Sequence, residues 1–221
     1  MKRKSTFATL GLAALLSSGI VIAGDDKKEA APAVAIATET AVLAAIDKPA
    51  PGFTLTDVNG KKHSLADFKG KTVVLEWTNY DCPFVKKFYG SNTMQKIQDA
   101  YTKKGVVWLS VCSSAPSKEG YFETAALKTR MSDAKAAPTA YLVDADGTVG
   151  KMYGAKTTPH MFVIGAEGNL VYAGGIDDKK SVDPADIATA KNYVVAALDA
   201  VIAGKAVETK TSAPYGCGVK Y

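Results

Sequence analysis

The sequence predicts an α/β fold with a mixed central β-sheet flanked by helices. Two observations carry that expectation. The apolar runs "TVVLEW" and "VVWLSV" are rich in β-branched residues and are separated by a helical stretch, so they read as parallel strands joined by a crossover helix. Further on, "MFVIGAEGNLVYAG" holds two apolar runs about Glu167-Gly168, an antiparallel hairpin added to the same sheet.

The remaining elements follow in order. "FTLTDVNGKKHSL" alternates apolar and polar residues around Asn59-Gly60, which marks an N-terminal hairpin with His63 on its surface. A helix starts at Pro83 and is interrupted at Gly90, Ser91 and Asn92. It resumes with Met94, Ile97 and Tyr101 on one face and stops at Gly105. "SKEGYFETAALKTRM" reads as a helix weakened by Gly120, and "TAYLVD" as a short strand. "DADGT" has some acids of a calcium loop but lacks the distal acidic ligand, so it reads as a turn before a short helix. Asp183-Pro184 opens a last helix, with Ile187, Ala190, Val194 and Leu198 in its apolar stripe and Gly204 as its stop. The final "KAVETKTSAPYGCGVKY" reads as an extended tail.

Composition places the chain among globular proteins, and its N-terminus adds export. At 47% hydrophobic and 22% charged residues it can build one real core. The start "MKRKSTFATLGLAALLSSGIVIAGDD" is a signal peptide over 1–23, cut after Ala23. Its apolar run is short and broken by Ser17 and Ser18, so no stable membrane span is expected after cleavage. The alternative is a retained anchor. Residues 24–47 are an Ala-rich flexible lead-in, 48–205 the folded domain, and 206–221 the tail. The net charge is +5, but Lys2, Arg3 and Lys4 lie in the leader and the other lysines are mixed with acids, so nucleic acid is not an expected partner. Export places the protein in a periplasmic or extracellular, oxidising compartment, where three cysteines, Cys82, Cys112 and Cys217, leave at least one unpaired within the chain.

Cys82 carries the first chemical signal. It ends a strand and precedes Pro83 at the first position of a helix, where free amide donors and the positive helix end favour a thiolate. Thr157-Thr158-Pro159 before a hairpin strand is the second. His160 follows it, either near Cys82 as a proton carrier or at the surface. Trp77, Tyr80, Phe84 and Tyr89 read as core or site wall.

Strand, Cys-Pro at a helix start, then Thr-Pro before a hairpin resembles the thioredoxin-like superfamily. More narrowly, "CPFVKKFY", "PTAYLVDADGTVGKMYGAKTTPHMFVI", "LVYAGGIDD" and "PYGCGVKY" are similar to a peroxiredoxin-like branch within the AhpC/TSA redoxin grouping. The resemblance implies a thiol oxidoreductase acting on a peroxide or a protein disulfide and recharged by a thiol reductant protein, with no cofactor. It implies Cys82 as the reactive thiol, a cis Thr158-Pro159 bond shaping a substrate groove with Pro83 and His160, and Glu76 as a buried acid assisting proton transfer.

The departures are specific. Val85 stands where thioredoxins keep a second thiol. Asn79 and Leu75 replace the Thr or Ser and the Pro that peroxiredoxins use, and Arg130 is the only arginine beyond the leader. Lys86 breaks the copper-chaperone spacing, and no metal site is expected. A partner for Cys82 must come from elsewhere. The 206–221 tail is long enough at ~3.3 Å per residue to fold back and bring Cys217, between two glycines, to the site. Cys112, at the end of the neighbouring strand, is the runner-up. An intermolecular bond or a free Cys217 remains open, as does a non-catalytic module with a structural Cys82–Cys217 disulfide or a copper-handling role.

Overall fold

The computed structural model describes residues 42–221, and the expected signal peptide and most of the lead-in lie outside them. The strands are β1 (Thr54–Asp57), β2 (Lys62–Ser64), β3 (Val73–Trp77), β4 (Val107–Cys112), β5 (Ala140–Val143), β6 (Thr157–Thr158), β7 (His160–Ile164), β8 (Leu170–Gly174) and β9 (Cys217–Gly218). The α-helices are α1 (Pro83–Gly90), α2 (Thr93–Thr102), α3 (Thr124–Asp133), α4 (Thr148–Tyr153) and α5 (Tyr193–Ile202).

Seven strands form one mixed sheet in the order β2-β1-β5-β4-β3-β7-β8. β3, β4 and β5 are parallel, while β7 runs antiparallel to β3 and β8 antiparallel to β7. This is the sheet the two apolar runs and the terminal hairpin imply. The N-terminal hairpin closes the opposite edge, where β1 pairs antiparallel with β5.

Alternation along the strands sorts the core into two layers. Val73, Leu75 and Trp77 of β3, with Phe162 and Ile164 of β7, face α4 through Val149 and Tyr153. Val74 of β3 and Met161 and Val163 of β7 face α1, α2 and α5 through Phe88, Met94 and Leu198. Helices cover both faces, as an α/β sheet with buried central strands requires. Among the described residues no helix is long and apolar enough to cross a membrane.

Four local expectations are corrected. The helix expected from Pro184 is two elements: a 3-10 turn over Pro184–Thr189, then α5. Ala190 is extended, and Asn192 opens the second helix by accepting the Val195 N–H at 2.9 Å. Replacing Asn192 by Ala is expected to cost about 1 kcal/mol and lower the melting temperature by about 2–4 °C, read by thermal circular dichroism. An unchanged melting curve would show that the cap is redundant. The segment around Gly120 is a turn rather than helix, and α3 starts only at Thr124. His63 is buried rather than exposed: β2 turns it inward, where its Nε2 lies 2.9 Å from Asp57 Oδ2 and its ring stacks on Phe68. The last residues of the lead-in pack on the domain: Ala44 N–H donates to Met152 O and Asp47 N–H to Leu170 O.

The C-terminal tail is extended but docked along its length. Ala173 N–H donates to Lys210 O, Val219 N–H to Lys156 O, and Ala115 N–H to Lys220 O. Tyr221 OH donates to Ala155 O at 2.6 Å. Such a segment buries few apolar side chains in a periodic way, so its docking leaves no hydropathy signal.

Candidate active site

Cys82 is placed by a tight turn. Beyond β3, Thr78 N–H still donates to Val111 O, and then Asn79 takes over. Its carbonyl accepts Cys82 N–H, and its side chain accepts Asp81 N–H at 3.0 Å. Cys82 is the N-cap of α1 with Pro83 at the first helical position. Its thiol is 2% exposed and donates to Thr158 O at 3.0 Å. The Thr158-Pro159 bond is cis.

The tail completes the site. β9 pairs antiparallel with β6, setting Cys217 opposite Thr158. The two sulfurs, Cys82 Sγ and Cys217 Sγ, lie 2.7 Å apart, both as free thiols. Gly216 makes this approach possible. It adopts φ +142°, and a Cβ there would overlap the Thr158 carbonyl. The pair is thus brought together across 135 residues of sequence.

Of the two thiols, Cys82 is the easier to ionise. Burial opposes ionisation of Cys82, but the Cys217 thiol, the Thr158 side chain and backbone N–H groups of Cys217 and Val85 outweigh it and hold the Cys82 pKa below an ordinary thiol. Burial and the neighbouring Cys82 push Cys217 up to about 12. A more acidic thiol thus lies beside a less acidic one.

The other expected site residues separate into two groups. Pro83, Thr158 and Pro159 border Cys82. Glu76 is fully buried on the same sheet face and accepts from Trp108 Nε1 at 2.7 Å, Tyr89 OH at 2.9 Å, and Gln98 Nε2 and Ser110 Oγ, each at 3.2 Å. Neither thiol is among its partners, and burial pushes its carboxyl pKa up against these donors. His160 belongs to the opposite face. Its ring packs against Phe162 at 4.4 Å, and its Nδ1 accepts Lys156 N–H at 3.1 Å. Strand alternation turns it away from Cys82, which corrects its expected place in the groove. Burial, with Lys156 nearby, holds its pKa down to about 4, so it is neutral at physiological pH. Cys112, the runner-up partner, is buried and donates to Gly120 O at 3.5 Å.

Between α1 and α3, a cleft of about 440 Å³ is lined by Tyr80, Asp81, Lys86 and Arg130 among others, and Cys82 does not line it. Arg130 Nε donates to Asp81 Oδ2 at 3.1 Å, and its guanidinium stacks 3.5 Å from the Phe122 ring centroid. This arginine is therefore engaged by its neighbours. No expectation from the sequence covered one further feature, a buried Lys87 with Asp177 and Tyr215. The only sequence signal was a lysine set among Val85, Phe88 and Tyr89.

Fold and site together define a thioredoxin-like protein with its thiol at the strand-to-helix turn. The chain belongs to the AhpC/TSA family, whose model matches residues 46–173. It is 31% identical over 129 residues to the thiol-disulfide oxidoreductase ResA of Bacillus thuringiensis subsp. konkukian (strain 97-27), covering 57% of this chain and 67% of that one. ResA of Bacillus cereus (strain ATCC 10987 / NRS 248) matches to the same extent. Among solved structures, a hypothetical protein from Sinorhizobium meliloti 1021 is 28% identical with a TM-score of 0.66, over 80% of this chain and 94% of that one. An uncharacterized conserved protein from Geobacillus kaustophilus is 27% identical with a TM-score of 0.68, over 81% and 93%.

Proposed function

We propose that this chain is an exported thiol-disulfide oxidoreductase in which Cys82 is the nucleophile and Cys217 the resolving thiol. The observation that carries this is the 2.7 Å contact between the two sulfurs, made where Val85 removes the usual second cysteine. Reduction begins when the Cys82 thiolate attacks one sulfur of a protein disulfide. That S–S bond breaks, and the other substrate sulfur leaves as a thiolate. Cys217 then attacks the Cys82 sulfur. A Cys82–Cys217 bond forms, and the second substrate sulfur departs with the proton Cys217 gives up. Two electrons pass from the cysteine pair to the substrate, and a thiol reductant protein restores them.

Charge orders these steps. Cys217 is kept protonated by burial and by Cys82 beside it. Once Cys82 is bonded to substrate it carries no charge, that second cause lapses, and Cys217 ionises more easily when it must attack. The leader-like N-terminus supports export, and the family's relatives support disulfides over peroxides, as does the engagement of Arg130 by Asp81. Pro83, Thr158 and Pro159 shape the groove, and Glu76 holds Tyr89 of α1 from behind the site.

A thiolate titration followed at 240 nm tests the reading. The Cys82 midpoint is expected below the ordinary thiol value of 9.0, and Cys217→Ala is expected to move it up because a donor to the thiolate is lost. An unshifted Cys82, together with a Cys82–Cys217 disulfide poised below about −300 mV, would make the bond a structural staple and end the enzymatic reading. Sulfenic acid at Cys82 after peroxide treatment, seen by mass spectrometry, would move the substrate from disulfides to peroxides.

A further inference from the structure

Lys87 lies on α1, five residues after Cys82, with its side chain 0% exposed. Its ammonium donates to Lys179 O at 3.0 Å and lies 3.9 Å from Asp177 Oδ2, itself in a side chain only 1% exposed. Asp177 Oδ1 accepts Lys179 N–H at 2.9 Å and the hydroxyl of Tyr215. The Tyr215 ring stands edge-on to Phe84 at 5.9 Å, and the Lys87 ammonium is 6.0 Å from its centroid. Three remote segments meet here: the helix that carries Cys82, the loop after β8, and the tail two residues before Cys217.

An apolar residue would fill this space without the cost of burying an ammonium. A buried charge is retained only with its partners in place. Tyr215 supplies one of the bonds to Asp177 and its ring lies beside the Lys87 ammonium, so the docked tail helps enclose the ion pair. Gly216, pressed on Thr158, and Cys217 follow directly from that anchor.

We propose that Lys87, Asp177 and Tyr215 are positioning residues that clasp the tail to α1 and so set how often the Cys217 thiol meets Cys82. The proposal rests on Cys217 being the resolving thiol. The clasp acts through effective concentration: with the tail held, closing the Cys82–Cys217 bond is an intramolecular step between oriented groups. Its natural readout is the equilibrium with glutathione, in which one oxidised glutathione takes two electrons from the cysteine pair, the Cys82–Cys217 bond forms, and two reduced glutathiones are released.

The test compares full-length wild type with Tyr215→Phe and Lys87→Met in glutathione redox buffers, with bond formation read by acid quenching, alkylation and mass spectrometry. Tyr215→Phe loses one hydroxyl and keeps the ring, so it decides the question even where Lys87→Met fails to fold. The equilibrium constant for closing the bond is expected to fall at least threefold in Tyr215→Phe. In folded Lys87→Met it is expected to fall at least tenfold, about 30 mV for a two-electron couple. A Tyr215→Phe constant within threefold of wild type, even with a lower melting temperature, overturns the clasp and leaves only a packing role. A wild type that forms no Cys82–Cys217 bond overturns the resolving-thiol reading itself, and the clasp with it.

Discussion

Cys217→Ser is expected to stop the reaction halfway, with Cys82 bonded to its substrate. Mixed with a stoichiometric model disulfide, reduced wild type should release two substrate thiols per chain. The variant should release the first at a rate near wild type and the second about 100-fold more slowly, since an oriented neighbour is replaced by thiols from solution. Intact mass should show the Cys82 adduct accumulating. Cys82→Ser should release neither thiol and form no adduct. Release of the second thiol at the wild-type rate by Cys217→Ser would remove Cys217 from the mechanism and return the question to Cys112 or to an intermolecular partner.

Glu76→Ala is expected to be the most damaging substitution to the fold. The carboxylate is wholly buried and takes hydrogen bonds from Trp108, Tyr89, Gln98 and Ser110, which tie β4, α1 and α2 to the centre of β3. Removing it leaves four buried donors facing a cavity, a loss of about 3–5 kcal/mol. For a chain of this size that is a fall of about 10 °C in melting temperature. Urea unfolding measures it directly, and a loss under about 1 kcal/mol would show that water or rearranged side chains replace the carboxylate. Glu76→Gln keeps one acceptor and should lose less. Because neither thiol touches Glu76, the Cys82 midpoint is expected to move less in Glu76→Gln than in Cys217→Ala.

The sheet was legible because its strands advertise themselves. "TVVLEW" and "VVWLSV" must be buried on both faces, and only a parallel pair under helices does that. The position of Cys82 was legible because Pro83 marks a helix start. His63 and His160 were not. Each lies in a strand whose alternation decides which way the ring points, and a one-residue change of register reverses that answer. The helix expected from Pro184 failed because apolar spacing continues across Ala190, while the Asn192 cap, a side-chain to backbone bond, divides it.

By itself, then, the sequence determined an α/β redoxin domain with a Cys-Pro helix start lacking the usual second thiol. Local chemistry settles those features: β-branched runs, a Cys-Pro helix start, and Val85 in place of cysteine. Only the tertiary structure decided that Cys217 meets Cys82 and that Lys87 and Asp177 lie beneath Tyr215. A tail's reach can be estimated from its length, but where it docks depends on unpaired backbone groups of β6 and on a space that only Gly216 fits. Contacts between residues 135 apart are made by the packed sheet. They leave no periodic signature in the chain that makes them.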